Sequence, residues 1–379
     1  MNQHTLRGTG IVLRAARASD RDDLTAGASD PLVARFVPAV PDPYTPADAQ
    51  RWIERAIAGS PDRVDFVIAD PATDRVLGAA GLHHLRWDEG TGEVGYWVAA
   101  WARGRGVASA ATEALTSWGV SRGLARVELL THPENWPSQR VALRAGYRPE
   151  GIRRAGGVDR GGHRYDLLVW ARLSSDPPGP TPRALPDLPD GELSDGVVTV
   201  RPLWTGDTAD LFTLRSLPEV VATSVPAQLP DPAENRRRCA QAPSAWLAGR
   251  EARLTIRDAA TGAFAGSIGL HMAEPATGQA MVGYSLLPAW RGRGYTTRAV
   301  GLLADWAFRH AGVRRLIAGT APDNVGSQRV LERVGFRREG YQRSRLPGPS
   351  GTRVDDVLYA LLPGEIAVDG VSPTRTPPR

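Results

Sequence analysis

Lysine is absent from this chain, so all 46 basic residues are arginines. No lysine can therefore serve as a catalytic base, a nucleophile or a target for modification. Acidic residues are interspersed among the arginines and the formal net charge is only +5. This balance argues against an arginine surface selected to bind nucleic acid, and we attribute the bias to genomic composition.

Cysteine and long apolar runs are scarce as well. Cys239 is the only cysteine, which excludes an intramolecular disulfide and any metal site built from several cysteines. We expect no metal site. No apolar run approaches the roughly 20 residues that span a membrane, and the polar segment Met1–His4 lacks the apolar core of a signal peptide. These absences predict a cytoplasmic protein with neither a membrane nor a nucleic-acid partner.

One short motif occurs twice in the chain, as Arg103-Gly104-Arg105-Gly106 and as Arg291-Gly292-Arg293-Gly294. Each copy is followed, at nearly the same distance, by an Asn-x-x-Ser-Gln-Arg-Val segment that begins at Asn135 or Asn324. Two signatures repeated in the same order indicate one domain written twice. The predicted organisation is a first domain over 1–173, a Pro-rich linker over 174–195, a second domain over 196–363 and a disordered tail over 364–379.

The order of predicted elements is the same in both halves. Short apolar strand signals precede each motif, and a helical pattern follows it. The apolar positions of these helices are Ala111, Leu115 and Trp118 in the first half and Ala299, Leu303 and Trp306 in the second. This order predicts two α/β domains, each with a central mixed, mostly antiparallel sheet flanked by helices.

A strand that leads through a glycine-rich turn into a helix is a typical phosphate site. The glycines let the backbone approach closely, and the unpaired amides at the helix start donate to phosphate oxygens. Arginine side chains can add charge-assisted hydrogen bonds. The alternative is an exposed arginine turn that only caps a helix. Because the motif occurs twice in the same context, we favour a diphosphate site.

These motifs resemble those of the GNAT family of acyl-CoA-dependent N-acyltransferases. The family's Arg/Gln-x-x-Gly-x-Gly/Ala pattern is met by Arg103, Gly106 and Ala108, whereas the second copy has Thr296 in the last place. A Gly-Tyr strand before the loop and an Asn-x-x-Ser helix ending in Gly-Tyr or Gly-Phe resemble the RimJ/RimL branch. That branch acetylates protein N-termini and small amines. The resemblance implies two tandem GNAT-like domains that use acetyl-CoA as the acyl donor.

The resemblance also implies roles for individual residues. The implied cofactor-binding residues are Trp97, Val98, Arg103, Gly104, Arg105, Gly106, Ala108 and Asn135 in the first half, and Ser285, Leu286, Arg291, Gly292, Arg293, Gly294, Thr296 and Asn324 in the second. Ser138 and Ser327 are the implied proton donors to the leaving sulfur. The alternative for the Asn and Ser residues is capping of the following helix.

Two glutamates that occur only in the first half are candidates for the catalytic base. Some family members carry a glutamate on the strand entering the loop, and Glu93 has that place, whereas Met281 stands there in the second half. Glu128 likewise faces Ile317. A surface charge is the alternative for either glutamate. We therefore hypothesise that the first half is better equipped for catalysis, and that the second binds cofactor or shapes the acceptor site.

The implied activity is acetyl-CoA-dependent N-acetyl transfer to a primary amine, either a protein N-terminus or a small molecule. The alternative is a non-catalytic, duplicated acyl-CoA-binding protein with a regulatory or scaffold role. The two halves are expected to pair within a monomer, or the chain to form a homodimer. His83 and His271 match each other between the halves and are interpreted as structural residues.

Overall fold

The computed structural model describes residues 5–348 and 351–367. The chain divides into two compact units, Met1–Pro182 and Arg183–Arg379, called here the first and second unit. Each unit contains one eight-stranded mixed sheet with helices packed on it. The predicted fold class, two tandem α/β domains with mostly antiparallel sheets, is confirmed. Among the described residues, no helix combines the length and apolar character needed to cross a lipid bilayer.

The first unit follows the predicted order of strands and helices. Its strands are β1 (Leu6–Gly8), β2 (Ile11–Arg14), β3 (Val64–Ala69), β4 (Val76–Arg86), β5 (Thr91–Val98), β6 (Arg126–Thr131), β7 (Arg148–Val158) and β8 (Arg164–Leu173). Its helices are α1 (Arg21–Ala28), α2 (Pro31–Phe36), α3 (Pro46–Ala58), α4 (Val107–Ser121) and α5 (Trp136–Arg144). The strand order across the sheet is β1-β2-β3-β4-β5-β6-β8-β7, and only β5 and β6 pair in parallel.

The second unit repeats this architecture. Its strands are β9 (Leu193–Ser194), β10 (Val198–Pro202), β11 (Glu251–Asp258), β12 (Phe264–Glu274), β13 (Gln279–Leu286), β14 (Arg315–Thr320), β15 (Arg337–Pro347) and β16 (Arg353–Leu361). Its helices are α6 (Thr208–Arg215), α7 (Pro218–Thr223), α8 (Pro232–Ala240), α9 (Ala242–Leu247), α10 (Tyr295–His310) and α11 (Val325–Val334). The strand order is β9-β10-β11-β12-β13-β14-β16-β15, with β13 and β14 parallel.

The long helix after each motif packs on the centre of its sheet. Leu115 of α4 and Leu82 of β4 are fully buried, as are Leu303 of α10 and Leu270 of β12. The first seven residues of β4 are all buried, because helices cover both faces of the sheet at its centre. Trp306 is 1% exposed, which agrees with its predicted place in the core. This packing fixes the position at which each helix begins.

The Pro-rich segment is divided between the two units. Thr181 bonds to the backbone of Leu143 and Tyr147 in the first unit, whereas Leu185 and Leu188 are buried in the core of the second. Most of the tail predicted to be disordered, residues 368–379, lies outside the described residues. The part that is described, 364–367, contacts the end of α11 through a backbone hydrogen bond. The domain boundaries drawn from the sequence stay a prediction.

Candidate active site

Each Arg-Gly-Arg-Gly segment lies between a strand end and the start of a long helix. Gly106 is the N-cap of α4 with φ 78°, and Gly294 is the N-cap of α10 with φ 80°. Gly104 and Gly292 are left-handed as well, each with φ 74°. A Cβ added at any of the four would meet no atom within 4 Å. The backbone conformation, and not a lack of space, therefore requires glycine at these positions.

The two long helices have no side-chain N-cap. Helix α3, by contrast, begins at Thr45, whose hydroxyl accepts a hydrogen bond from the Asp48 N–H. Because glycine has no side chain to satisfy the first amides of α4 and α10, these groups stay available to a ligand. The positive end of the helix dipole lies at the same point. Both units therefore have the backbone geometry that a diphosphate site requires.

The first arginine of each motif braces the loop. The Arg103 Nε donates to the Val98 carbonyl at 3.2 Å, and its guanidinium donates twice to the Asp30 carboxylate at 2.8 and 3.2 Å. Arg291 repeats the pattern with the Leu286 carbonyl, at 2.9 and 3.0 Å, and with a glutamate on α7 at 3.0 Å. These contacts hold the loop against the preceding strand and a neighbouring helix. These side chains thus support the conformation of the loop.

The second arginine of each motif is exposed and held less firmly. Arg105 is in loose contact with an aspartate carboxylate at 3.5 Å, and the Arg293 guanidinium lies 5.5 Å from the centroid of the Trp290 ring. Such weakly held guanidinium groups can turn toward a phosphate. Ala108 and Thr296 hold the second positions of α4 and α10, where their small side chains leave the helix start accessible.

A cavity of about 410 Å³, called here the loop cavity, runs beside the loop of the first unit. It brings together predicted cofactor-binding residues from three places in the sequence. Its wall contains Trp97, Val98, Arg103, Gly104, Gly106, Ala108, Asn135 and Ser138. Arg105 is not part of this wall. Helix α2 contributes apolar side chains such as Val33 and Phe36, so the cavity suits a long ligand with one charged end.

The parallel strands beside this cavity diverge after a short paired segment. In the first unit the last paired residues are Glu93 on β5 and Glu128 on β6, and in the second they are Met281 and Ile317. Beyond these positions β5 and β13 have one edge without a neighbouring strand, and a ligand can lie along it. Four of the residues that the resemblance implies as cofactor-binding lie at the ends of these two strands, namely Trp97-Val98 and Ser285-Leu286.

A hydroxyl pair connects each diverging strand to the helix behind it. The Tyr96 Oη is 2.6 Å from the Ser138 Oγ, and the Tyr284 Oη is 2.9 Å from the Ser327 Oγ. Burial raises the pKa of Tyr284 to about 12 and also raises the pKa of Tyr96, so both phenols keep their protons at neutral pH. These tyrosines were not among the site residues predicted from the sequence, although the Gly-Tyr match between the halves was an available signal.

Asn135 and Asn324 have the capping role that was considered as the alternative. The Asn135 Oδ1 accepts from the Ser138 N–H at 3.4 Å, and the Asn324 Oδ1 accepts from the Ser327 N–H at 3.1 Å. Asn135 also lines the loop cavity, so capping does not remove it from the site. Each cap fixes the first helical turn and hence the position of the serine hydroxyl.

The two candidate glutamates lie opposite each other where the strands diverge. Glu128 is ion-paired with Arg126 at 2.8 Å and with Arg153 at 3.4 Å, whereas the Glu93 carboxylate lies 3.5 Å from the Nδ1 of the exposed His84. About a quarter of each glutamate side chain, 26%, is exposed. Both line an open cavity of about 660 Å³. Glu93 has no arginine partner among the described residues and is the more available of the two.

Glu93 also lines a cavity of about 490 Å³, called here the histidine cavity. This cavity shares Val37, Tyr96 and Trp97 with the loop cavity, so the two meet at the end of β5. His83 lines it too. His83 was interpreted from the sequence as structural, because a histidine that closes a strand is more often a hydrogen-bonded structural residue.

The second unit has different chemistry at the matched positions. Met281 and Ile317 lie at the last paired positions, in place of the two glutamates. A buried carboxylate that the sequence analysis did not consider, Asp356 on β16, is ion-paired with Arg345. Burial raises the pKa of Asp356, although the arginine opposes that shift. Because Asp356 is fully buried and paired, it does not replace Glu93.

Two tandem domains, each with a mixed, mostly antiparallel sheet flanked by helices, are what the resemblance implies. The structure contains this architecture twice, each time with two diverging parallel strands beside a glycine-capped helix. The family model described as "Acetyltransferase (GNAT) domain" matches residues 11–148 and 198–337. The chain therefore belongs to the GNAT acetyltransferase family and contains the domain twice, which confirms the predicted duplication.

Several curated proteins and solved structures are similar to parts of the chain. "Probable N-acetyltransferase YjcK" of Bacillus subtilis (strain 168) is 41% identical over 83 residues, which cover 22% of this chain and 45% of that protein. "Uncharacterized N-acetyltransferase p20" of Bacillus licheniformis is 29% identical over 154 residues, or 40% of this chain and 85% of p20. The structure of Mycobacterium smegmatis RimJ in complex with CoA-disulfide is 24% identical and covers 48% of this chain and 90% of its own, with a TM-score of 0.42. The chain spans about half the length of the first two of these curated relatives, 45% and 49%.

Proposed function

We propose that the chain is an N-acetyltransferase that moves an acetyl group from acetyl-CoA to a primary amine, and that the first unit performs most of the turnover. The observation that carries this proposal is the meeting of two cavities at Tyr96 and Trp97. The loop cavity offers a phosphate cradle at one end. The histidine cavity offers an approach for an amine to the point where the two cavities meet.

The first-unit residues support this reaction in separate ways. The amides after Gly106 would bind the diphosphate, and the free edge of β5 would hold the arm of the donor. When bound, acetyl-CoA supplies the acetyl group as an activated thioester. The protonated Tyr96–Ser138 pair would give a proton to the departing sulfur. Glu93 would attract a cationic amine and could take its proton, directly or through His83 opposite it.

The second unit would bind acetyl-CoA without comparable turnover. It has the glycine cradle and the Tyr284–Ser327 pair, but it has Met281 where the first unit has Glu93. An apolar side chain neither attracts an ammonium group nor accepts a proton. This difference supports an unequal division of labour between the two units. The acceptor would be a protein N-terminus or a small-molecule amine.

Thiol release tests the proposal directly. The full chain would be incubated with acetyl-CoA and a panel of hexapeptides with free N-termini, spermidine and kanamycin, with mass spectrometry of the products. The buried Cys239 should contribute little background to a thiol reagent. We expect thiol release with at least one amine and a product heavier by one acetyl group. Binding of CoA with no release against the whole panel would contradict the proposal and favour a non-catalytic acyl-CoA-binding protein.

The division between units is tested by a matched pair of variants. Glu93→Gln removes the first-unit carboxylate, and Met281→Leu changes the corresponding side chain of the second unit without altering charge. We expect the first variant to lose most of the turnover while keeping CoA affinity, and the second to resemble the wild type. Full activity of Glu93→Gln would contradict the role given to this carboxylate.

A further inference from the structure

His83 is held in a fixed position on the face of the sheet that lines the histidine cavity. Its ring lies against two glycines on β4 and β5. A Cβ at Gly81 would be 3.0 Å from the ring Nε2, and a Cβ at Gly95 would be 3.1 Å from the ring Cε1. The side chain is 27% exposed, so the ring is packed but remains open to the cavity. The two glycines thus make room for an imidazole at this place.

A buried carboxylate determines which ring nitrogen carries the proton. The Asp65 Oδ1 is 3.2 Å from the His83 Nε2, and its other oxygen accepts from the Arg63 Nε at 2.5 Å. Burial alone would raise the pKa of Asp65, but the bonds from His83 and Arg63 outweigh it and lower the pKa. An ionised carboxylate only accepts hydrogen bonds, so Nε2 must be the protonated nitrogen. The lone pair of the neutral ring is then on Nδ1.

The Nδ1 atom lies on the side of β5, next to the position where the two cavities meet. It would be 3.2 Å from a Cβ on Gly95, the residue that precedes Tyr96. Across residues 5–348 and 351–367, no protein group forms a hydrogen bond with this nitrogen. An amine entering through the histidine cavity toward Tyr96 and Trp97 would therefore pass an imidazole with a free lone pair.

The second unit has the histidine without its carboxylate. Asp65 is the register partner of Gly81, and the corresponding partner of Gly269 is Arg253. His271 is exposed, and the glutamate opposite it is ion-paired with Arg253 at 2.8 Å. An arginine cannot accept a hydrogen bond, so nothing equivalent to Asp65 orients this ring. Within the described part of the second unit, no carboxylate is paired with His271 as Asp65 is paired with His83.

We propose that His83, oriented by Asp65, is the general base of the first unit. This inference rests on the proposed function. The cationic amine first gives one proton to the His83 Nδ1, which releases it to solvent. The neutral amine nitrogen then forms a bond to the thioester carbon and gives a second proton to the same Nδ1, while the carbon–sulfur bond breaks and the thiolate takes a proton from the Tyr96–Ser138 pair. The second proton on the histidine is returned through solvent to the hydroxyl pair. Glu93, directly opposite His83, attracts the cationic amine.

Kinetics of single variants test this assignment, with the peptides, spermidine and kanamycin as acceptors. His83→Ala should lower kcat about 10²–10⁴-fold at unchanged KM for acetyl-CoA, and added imidazole should restore part of it. Asp65→Asn should lower kcat and shift the pH profile, because an amide can donate to Nε2 and move the ring proton to Nδ1. His271→Ala is the matched control and should resemble the wild type.

The pH profile of turnover must be interpreted together with the titration of the other groups around the His83 ring. The titratable and charged side chains that share the cavity are Tyr44, Asp48, Arg51, Arg55, Arg63, Asp65, His84, Glu93 and Tyr96. Long-range ¹H–¹⁵N spectra, assigned with the His83→Ala variant, should show the His83 proton on Nε2. Turnover of His83→Ala within threefold of the wild type, or a proton on Nδ1, would overturn the assignment. A wild-type chain that acetylates nothing would instead overturn the proposed function itself.

Discussion

Replacing Gly106 with alanine should weaken CoA binding to the first unit through backbone strain and not through a steric clash. The residue has φ 78°, and an added Cβ would meet no atom within 4 Å, so the cost is conformational alone. A left-handed alanine costs about 1–2 kcal/mol. If the loop relaxes to negative φ to avoid that cost, the helix-start amides turn away from the ligand. Ligand binding would then have to turn these amides back and meet the cost of the left-handed alanine, which would raise Kd about 5–30-fold.

Isothermal titration of the full chain with CoA measures this effect. Gly294→Ala makes the same change in the second unit, at φ 80°, so each variant should weaken one of two sites. Gly123→Ala is the control for strain, because Gly123 has φ 105° with no atom near its Cβ and lies after the far end of α4. It should lower thermal stability and leave Kd unchanged. Wild-type affinity in Gly106→Ala would refute the role of the loop backbone.

Three further changes follow from the contacts of the first unit. Tyr96→Phe removes the hydroxyl bonded to Ser138 and should lower kcat roughly 10–100-fold in the thiol-release assay; unchanged kcat would show that the pair donates no proton. Asp30→Asn keeps an N-cap for α2 but removes the negative charge that holds Arg103, so KM for acetyl-CoA should rise roughly 2–5-fold. An unchanged KM would show that the Arg103–Asp30 contact is not needed for binding. Asp65→Asn should also lower the free energy of unfolding at neutral pH. Folding lowers the pKa of Asp65 below its usual 3.8, so the difference in free energy of unfolding between the wild type and Asp65→Asn is complete above that pH. Measured by urea unfolding, this difference should become smaller as the pH falls below about 4. A difference that does not change with pH would contradict the lowered pKa.

Local patterns were sufficient to predict the fold class, the duplication and the glycine-rich turn before each long helix. Each depends on residues close together in the chain, such as the glycines of 103–106, whose left-handed φ values follow from the turn that they form. The helix that begins there was recognisable from its apolar spacing. The Asn-x-x-Ser segment was also recognised, but its sequence did not determine whether the asparagine caps the helix or faces a ligand. The structure shows that Asn135 caps α5 and also lines the loop cavity.

Pairs formed between strands could not be read from the sequence, because strand register decides them. Glu93 and Glu128 are far apart in the chain, yet they are register partners where β5 and β6 diverge. The contact between Tyr96 and Ser138 could not be read either, because Tyr96 lies on β5 beyond its paired segment and Ser138 lies in the first turn of α5. Only the packing of the helix near the strand brings the two hydroxyls together.

The sequence by itself determined that this chain contains one GNAT domain twice, with a glycine cradle in each copy and acidic candidates only in the first. Those features are local or repeated, so composition and spacing were enough. Only the tertiary structure decided which groups surround the point where the two cavities of the first unit meet. A one-residue change of register would turn Asp65 to the opposite face of the sheet, away from His83, because side chains alternate along a strand.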